Sequence, residues 1–299
     1  MTKLTDAYQT EGRLSYTAMF ISLKYSGLYQ EVSYQNAMIP ELKIYYDKLQ
    51  NQRHHTILHW LTSLLSAHSI RRVLKYTNEF VLPGDLNHIA LRKWFMFHQI
   101  QQLQEKHNGL NVVFLGSGLD PLTHYLADAH QSNLVFELDS KPVIEIKQSA
   151  GFSFDRIRIS HTISDLLKDY STYSISTFPT VFVTEGFWDY STKDQIFSMI
   201  RQLTERLYSE AYLLTTYFNF PEMNPYHAGT IKKSTASVGE KIKNPLSLNQ
   251  FTDLLCTHGF EKSIHLSPEK LKNQLLSWDL GDDLIDEFHL LGFRKKKDG

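Results

Sequence analysis

A pair of glycines directly after a short apolar run is the feature of this sequence most able to form a binding site. The run is Val112 to Leu115, and Gly116, Ser117 and Gly118 follow it. The run is too short for a buried helix and carries two β-branched residues, which is typical of a fully buried parallel strand. The glycines permit a tight turn and a close backbone approach by a ligand. The pattern predicts a nucleotide-binding corner between a strand and a helix.

The residues after this turn narrow the class of ligand. Asp120 can cap the following helix, and Pro121 fits the first helical turn, where its missing N–H leaves no broken hydrogen bond. A dinucleotide-binding loop would carry a third glycine at the position of Pro121. The sequence therefore disfavours a pyrophosphate ligand and speaks against an NAD-dependent oxidoreductase.

A second apolar run adds support, because a Gly-x-Gly turn alone is more often an ordinary connection. Leu134 to Leu138 forms this run and Asp139 follows it, close to the ~20-residue spacing of a carboxylate that binds ribose hydroxyls. Glu137 is the less favoured choice, because the alternation of side chains along a strand does not point it out of the carboxyl edge. Asp139 is therefore the predicted ribose ligand.

Two further charged residues stand where a charge needs a partner. Arg92 falls on the apolar stripe of a helix predicted over 89–103. An unpaired buried guanidinium is costly, so Arg92 faces either a protein carboxylate or a ligand anion. Glu185 follows the apolar run 181–184, at the strand end where doubly wound sheets bind ligands. A carboxylate there suits a cationic ligand, although such a residue often only caps a turn.

The elements that would position these residues alternate from residue 111 onward, which indicates a doubly wound α/β sheet. The predicted strands are 112–115, 134–138, 156–160, 180–184 and 212–217, and the predicted helices are 121–129, 141–149, about 192–208 with Ser191 as its cap, and 248–258.

The segments outside this alternation have different patterns. Residues 1–108 show helical periodicity at 16–28, 57–65 and 89–103 without a strand ladder, which predicts an N-terminal helical cap or lid on a core of residues 109–299. Residues 219–247 are polar and rich in proline and glycine. This insert is predicted to be a substrate lid, with a mobile surface loop as an equal alternative.

The composition restricts the possible partners. Lys and Arg number 31 against 32 Asp and Glu, so no overall basic field favours nucleic acid, and the basic tail 294–297 is interpreted as a solvated terminus. No run approaches the ~18 apolar residues of a membrane span, and the polar start resembles no secretory signal. Cys256 is the sole cysteine, so an internal disulfide cannot form. We expect a cytoplasmic protein that acts on a small molecule, without a nucleic-acid or membrane partner.

Several motifs follow one another along the chain. They are Ala-Leu-Arg at 90–92, Leu-Gly-Ser-Gly-Leu-Asp at 115–120, Val-Phe-Glu-Leu-Asp at 135–139 with Lys147 downstream, Ser-Asp-Leu-Leu at 164–167, Val-Phe-Val-Thr-Glu-Gly-Phe-Trp-Asp-Tyr at 181–190, and His-Gly-Phe at 258–260. Their order and spacing resemble those of the leucine carboxyl methyltransferase family, which includes bacterial polyketide-type O-methyltransferases. The resemblance covers roughly residues 85–265. It implies an S-adenosylmethionine-dependent class I methyltransferase with a Rossmann-like, mostly parallel sheet of about seven strands.

The resemblance also implies a role for individual residues. It places Arg92 on the methionine carboxylate of the cofactor, Asp139 on the ribose, and Asp165, with Leu166 beside it, at the adenine amino group. The residues it implies for cofactor binding are Arg92, Gly116, Ser117, Gly118, Asp139, Asp165, Leu166 and Glu185. Considered without the family, Asp165 could equally be a helix cap.

The sequence departs from the family pattern in two places. Pro121 and Leu122 stand where the family commonly has Thr-Arg, so a polar role at those positions is lost. Thr17 and Ala18 resemble a Thr-Ala pair of the family, but no basic ligand residue can be assigned between Arg13 and Lys24.

No residue stands out as a catalytic base or a metal ligand. His55 and His59 are four apart, but no third ligand is evident, so no metal site is predicted. Tyr190, His161 and His227 are the candidate bases, and each can also be structural. A carboxylate acceptor is already ionised at neutral pH and needs no strong base.

The expected reaction is therefore methyl-ester formation on a small carboxylate. The alternatives are methylation of a phenol or hydroxyl of a polyketide-like metabolite, methylation of a protein C-terminal carboxylate, and a catalytically silent nucleotide-binding module.

The first prediction concerns ligand choice, and follows from the glycine turn without a third glycine. We expect the protein to bind S-adenosylmethionine and its demethylated product but not NAD, as measured by calorimetric titration with each ligand. Binding of NAD without a response to the methyl donor would contradict this interpretation.

Overall fold

The computed structural model describes residues 15–50, 81–129, 134–173, 178–205 and 210–296 of the 299-residue chain. The described strands are β1 (Asn111–Leu115), β2 (Leu134–Leu138), β3 (Ile157–Ser160), β4 (Thr180–Thr184), β5 (Ala211–Phe218), β6 (Glu261–Leu266) and β7 (Phe288–Lys295). The described α-helices are α1 (Tyr16–Leu28), α2 (Lys43–Gln50), α3 (Asp85–His107), α4 (Leu122–Asp128), α5 (Lys141–Ser149), α6 (Ile163–Tyr173), α7 (Lys193–Thr204), α8 (Pro225–Ser237), α9 (Leu248–Thr257) and α10 (Pro268–Ser277).

The seven described strands form one sheet in the order β3-β2-β1-β4-β5-β7-β6. β1 to β5 run parallel to one another, and β7 pairs antiparallel with both β5 and β6. Every residue of β1, β4 and β5 is buried, which explains why these strands are continuous apolar runs without alternation. The predicted doubly wound, mostly parallel α/β fold is confirmed.

The sheet has an apolar core on each face. Along β1, Val112 and Phe114 belong to one core cluster, whereas Val113 and Leu115 belong to the other. The first cluster includes buried side chains of α1, α2 and α3, so the N-terminal helices are part of the main core.

The parallel strands bring the ends of β1, β2 and β4 to one edge of the sheet. Leu115 pairs with Leu138, and Phe114 pairs with both Glu137 and Val183. Residues that directly follow these strands are therefore neighbours in space although they are far apart in sequence. This edge carries Gly116, Asp139 and Glu185.

Several predicted element boundaries are correct, and others need correction. Helix 16–28 is confirmed, and the predicted helix 89–103 lies within the longer α3. α3 begins after Gly84, whose backbone has a left-handed conformation. The cap of α7 is Thr192, not Ser191: its hydroxyl accepts from the Gln195 N–H, and the Gln195 side chain accepts from the Thr192 N–H. The predicted helix 57–65, with His55 and His59, lies outside the described residues.

The C-terminal third differs most from the sequence prediction. The insert 219–247 contains the 13-residue helix α8, which Asn224 caps through the N–H of Tyr226, so it is not irregular throughout. The basic tail is not a free terminus in this region, because Arg294 belongs to β7 and forms an ion pair with Glu210. β6, α10 and β7 had no prediction of their own from residue periodicity.

The close approach at Gly118 is made by the protein itself. A Cβ at Gly118 would lie 2.7 Å from the Cβ of Ala18 in α1, and Gly118 has a φ of +56°. The structure thus shows α1 against one side of Gly118, and the ligand contact expected from the sequence at this turn stays a prediction. The glycine therefore serves the packing of α1 against the loop after β1.

Within the described residues, no helix combines the length and the apolarity that crossing a lipid bilayer would require.

The second prediction tests this contact. Gly118→Ala should lower the free energy of unfolding by ~1–3 kcal/mol, because the new methyl group meets Ala18 and the backbone must keep a left-handed conformation. Denaturant unfolding measures the change. Gly27→Ala in α1 is the matched control, since a Cβ there meets nothing within 4 Å and alanine favours the helix by up to ~1 kcal/mol. Equal losses in the two variants would contradict the contact.

Candidate functional site

A cavity of about 360 Å³ opens at the carboxyl edge of the sheet. Its walls come from α1, from α3, from the segments after β1, β2 and β4, and from residues 239–243 of the insert. This volume lies within the range of small-ligand sites. The cavity is therefore the candidate active site, at the place where doubly wound sheets bind ligands.

The glycine turn forms one wall of the cavity and is bound to Asp139. Gly116 and Gly118 have φ values of +70° and +56°, and both line the cavity together with Ser117. The N–H groups of Gly118 and Ser140 each donate to the Asp139 carboxylate, at 2.7 Å. Burial raises the pKa of Asp139 to about 6, although the nearby Lys147 acts in the opposite direction. Asp139 thus presents a carboxylate that titrates near neutral pH.

Glu137 lies behind the turn rather than in the cavity wall. Its side chain and that of Lys147 are fully buried and form an ion pair. Glu137 also accepts a hydrogen bond from the Ser117 hydroxyl, to which Lys147 Nζ donates at 3.0 Å. Of the two acidic residues at the end of β2, Asp139 reaches the cavity, and Glu137 supports the turn from below.

Arg92 and Glu185 meet in the cavity wall. The Nε of Arg92 lies 2.5 Å from Oε2 of Glu185, and both side chains are 7% exposed. Arg92 therefore has the protein carboxylate that sequence analysis left open as one alternative. Both residues also line the cavity, so the pair is accessible to a bound ligand.

Two roles were not evident from the sequence: the contacts of Lys93 in this cluster, and the contact of Asp120 with Lys93. Lys93 Nζ lies 2.5 Å from Oδ2 of Asp120 and 3.0 and 2.9 Å from the two oxygens of Glu185. Asp120 also accepts from the N–H of Leu122 at 3.0 Å, as predicted for a residue that caps α4. Lys93 escaped notice because adjacent helical residues do not share a face, so the stripe through Arg92 did not include it.

This cluster fixes the charge of Glu185. Burial alone would raise its pKa, but the Lys93 ammonium and the Arg92 guanidinium together lower it to about 2. Burial raises the pKa of Asp120, and Lys93 opposes the shift. Glu185 is therefore an ionised carboxylate at every physiological pH.

The structure does not bring Asp165 and Leu166 into the cavity wall. Asp165 is exposed in the first turn of α6, where its carboxylate and its N–H both bond to the Thr162 hydroxyl. Leu166 is 1% exposed and belongs to an apolar core cluster. Thr162, rather than Asp165, therefore caps α6, and the adenine contact of Asp165 and Leu166 stays a prediction.

Of the three candidate bases, only Tyr190 lines the cavity. Burial raises the pKa of its phenol above the ordinary value, and Asp189 adds to the shift. The exposed His161 has Nδ1 2.8 Å from the carbonyl oxygen of Asp139, and His227 Nδ1 accepts from the N–H of Asp286 at 3.1 Å. Both histidines make structural contacts outside the cavity lining.

Helix α1 and the insert meet over the cavity. The N–H of Thr17 donates to the Glu240 carboxylate at 3.3 Å, and Thr17 and Ala18 line the cavity. Lys241 and Lys243 line it from the insert and are exposed. The outer wall formed by the insert thus carries the positive charges of Lys241 and Lys243 and the negative charge of Glu240, in addition to the internal charge cluster.

The strand order and the cavity at the carboxyl edge define a Rossmann-like fold, and solved structures with a similar fold include the following two. One is a proposed methyltransferase from Thermobifida fusca YX, with 14% identity, a TM-score of 0.52, and coverage of 77% of this chain and 89% of the other. The second is a DUF574 family protein from Streptomyces avermitilis, with 16% identity, a TM-score of 0.51, and coverage of 76% and 90%. At these identities the likeness concerns the fold alone.

A sequence comparison adds a match over part of the chain. Residues 48–150, about a third of the chain, match the family model of leucine carboxyl methyltransferases. A search of curated protein sequences finds no match. This part of the chain is thus similar to the leucine carboxyl methyltransferase family, in agreement with the resemblance of its motifs.

The third prediction uses the pKa of Asp139. If its carboxylate accepts from the ribose hydroxyls, binding lowers its pKa, so affinity for the cofactor should be constant above about pH 7 and fall as the pH drops through about 6. The fall cannot exceed tenfold per pH unit, and Glu185 does not contribute in this window. Calorimetric titration between pH 5 and 8 measures it.

The matched control for this measurement is Asp139→Asn. It should bind more weakly and lose the pH dependence in this window. The same profile in both proteins would show that another group titrates.

Proposed function

We propose that the protein transfers the methyl group of S-adenosylmethionine to a carboxylate oxygen of a small acidic molecule. The observation that carries this proposal is the set of groups in the cavity wall. Among the described residues that line it, there is no histidine or cysteine, and Tyr190 holds its proton more tightly than a free phenol. A carboxylate acceptor has no proton to lose, so this site suits it.

The charges of the cavity fit the cofactor. S-adenosylmethionine carries a carboxylate, an ammonium and a sulfonium, without a phosphate. Arg92 offers a guanidinium to the carboxylate, and the ionised Glu185 suits the ammonium. Asp139 offers an acceptor to the ribose hydroxyls beside the glycine turn. The adenine end would extend toward α6, where Asp165 stands.

The cofactor supplies an activated methyl group when bound. The acceptor oxygen attacks this methyl carbon in line, the carbon–sulfur bond breaks, and its electron pair returns to sulfur. A neutral thioether and a methyl ester result, so no proton has to move. Catalysis then depends on holding donor and acceptor in line, which can contribute ~7–11 kcal/mol in favourable cases.

The outer wall suits an anionic acceptor. Lys241 and Lys243 lie in the part of the insert that lines the cavity, and no ion pair of either is present within the described part of the chain. A positive wall raises the local concentration of an acid and orients its carboxylate. The insert would then act as the substrate lid that sequence analysis expected.

A hydroxyl acceptor is the second candidate, because one buried carboxyl group has the pKa of a general base. Burial raises the pKa of Asp189 to about 7, and Arg92 opposes this shift. Its Oδ2 would lie 3.9 Å from a Cβ at Gly186, and Gly186 lines the cavity. Asp189 itself lies outside the lining, so proton transfer would need a path past Gly186.

The fourth prediction separates the two candidates. Incubation with radiolabelled methyl donor and a panel of small acids and phenols should give products that mild alkali hydrolyses, since methyl esters are labile and methyl ethers are not. We expect Tyr190→Phe and Asp189→Asn each to keep turnover within ~3-fold, because neither residue serves as a base. Alkali-stable products, with turnover lost in Asp189→Asn, would favour the hydroxyl acceptor instead.

A further inference from the structure

The ion pair between Arg92 and Glu185 has a single hydrogen bond. Arginine and a carboxylate most often form two parallel hydrogen bonds, which is the strongest arrangement. Here Nε of Arg92 makes one contact, 2.5 Å from Oε2 of Glu185. Within the described chain, the two terminal guanidinium nitrogens of Arg92 make no hydrogen bond.

Lys93 explains the single contact. Its Nζ lies 3.0 Å from Oε1 and 2.9 Å from Oε2 of Glu185, so it occupies the side of the carboxylate that a second arginine contact would need. Asp120 holds the ammonium there from the opposite direction, at 2.5 Å. Lys93 thereby connects the end of β4 to the loop after β1.

Lys93 and Arg92 differ in how many of their N–H donors are already used within the protein. The side chain of Lys93 is 3% exposed and has carboxylates on two sides, so it has little left to offer a ligand. Arg92 lines the cavity and uses one of its five N–H donors. The terminal nitrogens of Arg92 are thus the donors in this cluster that a ligand can reach.

We propose that Lys93 is a positioning residue that keeps the Arg92–Glu185 pair open toward the cofactor. It neutralises and orients Glu185, and so prevents Arg92 from closing onto both carboxylate oxygens. Arg92 then keeps its terminal nitrogens for the cofactor's carboxylate, and Glu185 keeps its charge for the ammonium. This inference rests on the placement of the cofactor in the proposed function, but not on the identity of the methyl acceptor.

The test needs a variant that loses Lys93 without leaving an uncompensated charge. Lys93→Met alone would strand the buried Asp120 carboxylate, which is strongly destabilising. Lys93→Met combined with Asp120→Asn removes one cation and one anion and leaves the Arg92–Glu185 pair balanced. Lys24→Met combined with Asp85→Asn is the matched control, because it removes an ion pair of the same kind between α1 and α3 from residues outside the cavity lining. Thermal unfolding verifies that both variants fold.

The readout is the affinity of two ligands that differ at one end. S-adenosylhomocysteine has the amino-acid carboxylate and ammonium, whereas 5′-methylthioadenosine lacks both and keeps the nucleoside. In the double variant, we expect ~10- to 100-fold weaker binding of S-adenosylhomocysteine, the range for hydrogen bonds to charged groups. Binding of 5′-methylthioadenosine should change less than twofold, and the control should bind both ligands as the wild type does.

Arg92→Lys provides an independent measurement, because it keeps a cation beside Glu185 but has no guanidinium fork. If Lys93 acts through Arg92, the Lys93 and Asp120 changes should weaken S-adenosylhomocysteine binding less than threefold in the Arg92→Lys background, because coupled residues are not additive. Equal weakening for the two ligands in the double variant would overturn the proposal, since it would indicate general support of the cavity. Unchanged S-adenosylhomocysteine binding would also overturn it.

The two proposals fail in different ways. A wild-type protein that does not bind S-adenosylhomocysteine would overturn the role of Lys93 together with the cofactor placement. The absence of ester products would overturn the acceptor assignment alone, because neither binding measurement includes an acceptor.

Discussion

The buried ionised carboxylate of Glu185 is the constraint on which the rest of the site depends. A carboxylate removed from water is strongly unfavourable unless cations and hydrogen-bond donors surround it. Arg92 and Lys93 provide them from two successive positions of α3, and Asp120 balances the second cation. Because these residues belong to α3, the loop after β1 and the end of β4, the charge balance fixes the position of the helix against two strand ends. The N-terminal helices are thus tied electrostatically to the sheet edge where the cavity lies.

The parallel sheet makes this arrangement possible. The loop after β1 and the segments after β2 and β4 leave the sheet at the same edge, so three separated segments contribute the glycine turn, Asp139 and Glu185 to one cavity. Asp139, whose carboxylate is held by the N–H groups of Gly118 and Ser140, would repel a pyrophosphate placed against the glycine turn. The electrostatics at the turn therefore suit the cofactor proposed above, which carries no phosphate.

Sequence alone predicts those parts of the fold whose own residues form a clear pattern. β1, β4 and β5 are buried on both faces, so each is a mostly apolar run, and the helical pattern of α1 extends over its thirteen residues. β6 is exposed or half-buried throughout, so its polar sequence did not stand out. Proline and glycine in the insert suggested an irregular segment, yet Pro225 stands at the first turn of α8, where proline is compatible with a helix. Lys93 could not be recognised from its own helix, because its partners, Asp120 and Glu185, are distant in sequence.

Neighbouring groups, rather than burial, set the different pKa values of the three carboxyl groups at or near the cavity, Glu185, Asp139 and Asp189. Burial opposes ionisation of Glu185, Asp139 and Asp189 alike, yet their pKa values are about 2, 6 and 7. Glu185 has two cations in contact, Asp139 has two backbone N–H donors with Lys147 farther away, and Asp189 has Arg92 alone to oppose its burial. Glu185, which is permanently charged, faces the place where a ligand ammonium would lie. Asp139, with the intermediate pKa, stands beside the glycine turn, where the neutral ribose hydroxyls would need only a hydrogen-bond acceptor. The most readily protonated group, Asp189, is set behind Gly186 and outside the residues that line the cavity.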